Sequence, residues 1–122
     1  MAGARRAQRE IDKYEDAKLR VLVVWFEMYD GDERAAWRAD LLNTSRASHY
    51  WDATKAVGRW YAARGGEFRQ SGEILWDAWL LYETGARGTR ALDKPTAWGR
   101  TIVATDTRLA DALRHLATTP VR

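Results

Sequence analysis

The chain contains no cysteine. That excludes disulfides, thiolate metal sites and a cysteine nucleophile together, and it fits a cytoplasmic protein. Proline is scarce as well, with only Pro95 and Pro120. No long apolar segment is present. The longest run, VLVVWF at residues 21–26, falls far short of the roughly 20 residues a membrane-spanning helix needs. The opening MAGARRAQREIDKYEDAK carries no apolar stretch behind its arginines, so it does not read as a secretory signal. Repeats and low-complexity segments are lacking, and histidine occurs only at positions 49 and 115.

What is present is a globular composition, with 46% of the 122 residues hydrophobic and 30% charged. The length suits one domain over residues 1–122, with residues 1–9 frayed and 118–122 a flexible tail. The net charge is a modest +3. Residues 1–83 hold 13 basic and 14 acidic side chains, and residues 84–122 hold 7 and 3, so the positive surplus lies in the C-terminal third. Arginine outnumbers lysine 16 to 4. A GC-rich coding sequence accounts for that bias, and so does recognition of phosphate or carboxylate by the guanidinium fork.

The hydrophobic spacing predicts an all-α fold, a compact bundle of four to five helices joined by short glycine-containing turns. A first helix is expected over 4–29. Val21, Val23 and Val24 favour a strand, but a strand needs a partner, and the only other β-branched run is RTIVAT at 100–105. Asp30 and Glu33 fit a capping box for a second helix ending near Leu42. After Asn43-Thr44-Ser45, a third helix would place Tyr50, Val57 and Tyr61 toward the core, with Trp51 and Trp60 on its flanks. Gly65-Gly66 ends it. The stretch SGEILWDAWLLYETG reads as a fourth helix, apolar almost all round. Trp98, Ile102, Thr105, Leu109, Leu113 and Leu116 form one stripe for a last helix, with a break at Thr105-Asp106 as the alternative. Seven tryptophans are expected to fill the core, each burying about 150–250 Å².

The chain carries little that resembles catalytic machinery. His49 and His115 lack spacing partners of the metalloprotease kind. The Asp-rich loop 30–33 lacks the remaining ligands of a calcium loop. Carboxylate pairs such as Asp12–Asp16 and Glu73–Asp77 have basic neighbours or lie beside helix starts, where a negative charge simply favours the dipole. Asp77, between Trp76 and Trp79, is the one acid with apolar flanks of the kind acid–base catalysis needs, but its position on the expected helix falls on the polar face. The sequence therefore predicts no enzyme, no cofactor, no metal and no small-molecule substrate.

Binding is the better expectation. Trp, Tyr and Arg dominate binding hot spots, and Trp51, Arg59, Trp60, Arg64 and Trp76 are the predicted contact set for a protein partner, either a second copy of this chain or a different one. Nucleic acid is the alternative, through the basic-aromatic stretches 59–69 and 84–90, with Arg64, Arg69, Arg87 and Arg90 as contacts. None of Gly58, Gly66 and Gly72 sits in helix–turn–helix spacing, and the charge is low for a dedicated DNA binder. The last helix mixes Asp106 and Asp111 with its arginines, which does not suit a membrane surface. In composition, though not in any motif, the chain is similar to accessory proteins of phages and mobile elements in GC-rich bacteria.

Overall fold

A computed structural model describes residues 2–27, 41–64, 74–83, 85–86 and 94–118. Its elements in chain order are α1 (Ala2–Asp12), β1 (Val21–Trp25), β2 (Ala47–Trp51), α2 (Ala56–Arg64), β3 (Ala78–Leu81), β4 (Ala97–Arg100) and α3 (Asp106–Thr118). The fold is thus mixed α/β, and the expected all-α bundle is wrong. The chain forms two compact units, Lys18–Trp76 and the combination of Met1–Ala17 with Asp77–Arg122.

In the unit formed by the two ends of the chain, α1 packs against α3. Good helix formers (Ala, Arg, Gln, Glu) fill α1, and Ala7 and Ile11 put a narrow apolar stripe inward. Leu109 and Leu113 supply the matching stripe of α3, four residues apart and so on one face. Arg6 Nη1 meets Asp106 Oδ2 at 2.9 Å, joining the start of α3 to α1. Glu10 is buried and its carboxylate accepts from Lys13 Nζ at 2.8 Å. Strands β3 and β4 pair antiparallel, with Trp79 opposite Gly99 and Leu80 opposite Trp98. The Trp79 indole N–H donates to Thr105 Oγ1 at 3.0 Å, and that hydroxyl donates to Thr101 O at 2.6 Å.

In the central unit, β1 and β2 pair in parallel, Val21 opposite Ala47 through Trp25 opposite Trp51. Val21, Val23 and Val24 are the β-branched residues a pleated surface accommodates best. Asp52 follows β2 directly, and its carboxylate starts α2. Oδ1 accepts from Ala56 N at 3.0 Å and Oδ2 from Val57 N at 2.8 Å, which satisfies amides a helix start leaves open. Gly58 lies where α2 meets the segment 74–75. A Cβ there would stand 2.6 Å from Ile74 Cγ2 and 2.8 Å from Leu75 O, and Leu75 N donates to Gly58 O at 2.9 Å. Leu41, Leu42, Ala62 and Leu75 form this unit's core.

Each misplaced helix has a physical reason. The predicted 4–29 helix stops at Asp12, and its apolar half is β1, because β2 supplies the partner that sequence reading could not see. The predicted third helix starts only at Ala56. Its first residues are β2, and Lys55, with φ of 59°, sits in the left-handed region that a continuous helix does not visit. The fourth predicted helix is β3 over Ala78–Leu81, preceded by Asp77 at φ 48°. The last one is β4, a turn, and then α3 from Asp106. The second predicted helix lies almost wholly outside the described residues. The described tryptophans do not form the core either, and Trp37 lies outside the described residues. Among the described residues the buried hydrophobic side chains are alanine, isoleucine and leucine, while Trp25, Trp51, Trp60, Trp79 and Trp98 are half-buried and Trp76 is exposed. Tyr50 and Val57, expected in the core, are 51% and 40% exposed. Among the described residues no helix is long and apolar enough to cross a membrane.

Candidate functional site

The five predicted contact residues all belong to the central unit. Trp51 ends β2 opposite Trp25 and is half-buried. Arg59 is exposed on α2, and Trp60 beside it is half-buried, its ring meeting Tyr61 edge-on with centroids 5.1 Å apart. Arg64 is the last residue of α2, and its side chain lies outside the described part. Trp76 is 38% exposed. At 100° per residue, Trp60 stands opposite the side of α2 that carries Gly58 and Ala62, which are buried. Val57 lies one turn before Trp60 on that outward side.

Sequence reading missed a second group. Alternation along β1 and β2 puts Leu22, Val24, Ser48 and Tyr50 on one face of the pair, with Val21, Val23, Trp25, Ala47, His49 and Trp51 on the other. Leu22 is 61% exposed and Tyr50 51%. The signal that could have found them was period-two alternation, and it was hidden because Leu22 lies within an unbroken apolar run.

The inward face is held by His49. Trp25 Nε1 donates to His49 Nδ1 at 2.9 Å, so Nδ1 is the acceptor. His49 Nε2 lies 3.1 Å from Leu42 O and therefore carries the proton. The two rings are nearly parallel at 8°, with centroids 6.1 Å apart. That separation, with an N–H···N bond between ring edges, is a side-by-side arrangement and not a face-to-face stack. Both imidazole nitrogens are used in structure, which leaves no lone pair for a metal or a proton-transfer role. Asp77, the acid with apolar flanks, is half-buried at the entry to β3. Its Oδ1 is 3.5 Å from Ile102 N. Among the described residues no group of three or more His, Asp or Glu could hold a metal ion.

Of the alternative nucleic-acid set, Arg69, Arg87 and Arg90 lie outside the described residues, as does the side chain of Arg64. No family model matches the chain, and no curated protein and no solved structure shows significant similarity to it.

Proposed function

We propose that the protein is a cytoplasmic, non-enzymatic binding protein. It engages a protein partner, a second copy or a different chain, through the aromatic and arginine-bearing surface of residues 18–76. One observation carries the reading. Of the large hydrophobic side chains exposed among the described residues, Leu22, Tyr50, Val57 and Trp76 all belong to this unit, and only Val103 does not. Parallel strands are ordinarily covered on both faces, and a two-stranded sheet is marginal in isolation. A partner laid over Leu22 and Tyr50 would supply what this pair lacks. Exposed Arg59 and half-buried Trp60 add the residue types that concentrate binding energy.

The test is a pair of substitutions, Tyr50→Ser and Trp60→Ala, each checked by circular dichroism for an unchanged fold. Light scattering across a dilution series reads self-association, and affinity capture from the native host with mass spectrometry reads a different chain. Folded variants that lose the larger species or the captured protein support the proposal. A wild-type chain that stays monomeric and captures nothing specific refutes it.

A further inference from the structure

Along α1, Arg5, Arg6 and Arg9 line a groove of about 360 Å³ together with Ala2 and Val103. Only one of the three has an acid. Asp106 holds Arg6 at 2.9 Å, while neither Arg5 nor Arg9 has an ion-pair partner among the described residues. Both are exposed. The nearby carboxylate of Glu10 is already taken by Lys13 at 2.8 Å. Arg6 Nε is enclosed without any hydrogen-bond acceptor, which costs free energy but leaves that atom closed to a ligand.

Like charges one turn apart destabilise a helix, so Arg5 and Arg9 are held at a cost that an anion in the groove would offset. Their backbone positions are separated by roughly 6 Å along the helix, which suits two neighbouring phosphates gripped by two guanidinium forks. Val103, 41% exposed, gives the groove an apolar edge where a sugar or base can rest. We propose that this groove binds the phosphates of a nucleotide or polynucleotide. Arg5 and Arg9 are the phosphate contacts, and Arg6, anchored by Asp106, forms the wall. The residues of this site all belong to the unit formed by the two ends of the chain.

Fluorescence anisotropy with labelled single-stranded and duplex DNA, with ADP and pyrophosphate as competitors, tests this on the full chain. The variant is Arg5→Gln with Arg9→Gln, and the charge-matched control is Arg20→Gln with Arg100→Gln, both exposed positions. The groove variant should lose about tenfold or more in affinity, and its slope of log affinity against log salt should fall by roughly 2. The control should lose less than about threefold. Competition by ADP or pyrophosphate at low concentration identifies a small nucleotide as the ligand. Its failure, with a steep salt slope for DNA, identifies a polynucleotide. Equal losses in both variants, or a wild type that binds none of the probes, overturns the proposal.

Discussion

Trp79 reaches Thr105 only because residue 99 has no side chain. A Cβ at Gly99 would stand 2.5 Å from Trp79 Nε1, and two atoms of Thr105 would be closer than van der Waals contact allows. The indole N–H···O bond of 3.0 Å thus occupies the space a residue in β4 would normally fill. Gly99→Ala should destabilise the protein by about 2–3 kcal/mol, from overpacking plus loss of that bond. Urea unfolding measures it. The double variant with Trp79→Phe should cost less than the two single costs added together, since both act on one contact. An unchanged midpoint for Gly99→Ala would show that the indole does not lie there.

The Trp25–His49 pair makes a spectroscopic prediction. With Nδ1 accepting from the indole and Nε2 facing Leu42 O, the ring must be the neutral Nε2–H tautomer. Long-range proton–nitrogen spectra should show a protonated Nε2 and a bare Nδ1. Trp25→Phe removes the donor that fixes this choice and should cost about 1 kcal/mol. A spectrum with the proton on Nδ1 contradicts the arrangement.

These two contacts also show where sequence reading reached its limit. A stripe from Trp98 to Leu116 looked like one long helix, but only its second half, with Leu109 and Leu113, is α3. Trp98, Ile102 and Thr105 kept the helical period by chance, and Gly99 was the local sign against it. The suggested break at Thr105-Asp106 is where α3 does begin. Around residues 21–26 the apolar run carries no periodicity, and helix and buried strand cannot be separated there without knowing the partner. That partner, Ala47–Trp51, is separated from β1 by more than 20 residues, and local pattern holds no record of such pairing. A helix over the polar start was legible because propensity is local, but its extent was not: α1 takes in Ala2 to Arg9, which were expected to fray, and ends at Asp12. Trp51, Arg59 and Trp60 were named from composition, which holds no record of whether they share a surface. The exposed Leu22–Tyr50 face was not, because it exists only once the two strands pair.

Asp52 should behave as the start signal of α2. Its two carboxylate oxygens accept from successive amides, Ala56 N and Val57 N. Asp52→Ala should cost about 1 kcal/mol, and Asp52→Asn less, because the amide oxygen keeps one acceptor. Urea midpoints for both variants rank the effect. Equal costs for the two substitutions would assign the loss to charge near the helix start and not to the two bonds.

Two leucines at opposite extremes of exposure bear on the proposed partner surface. Leu113 is 3% exposed in α3, and Leu22 is 61% exposed on β1. Removing Leu113 to alanine leaves a void among packed side chains and should cost about 2–5 kcal/mol. Leu22→Ala should change the stability of the dilute chain by less than about 0.5 kcal/mol, since water already surrounds that side chain. Under conditions where a partner is bound, the ranking changes, because Leu22 is then withdrawn from water and its loss weakens the complex. Unfolding midpoints at low and high protein concentration separate the cases. A second copy as partner makes the Leu22→Ala effect grow with concentration, and a different partner leaves it small until that chain is added. A large cost for Leu22→Ala in the dilute chain would mean that the protein covers this face itself and that no partner docks there.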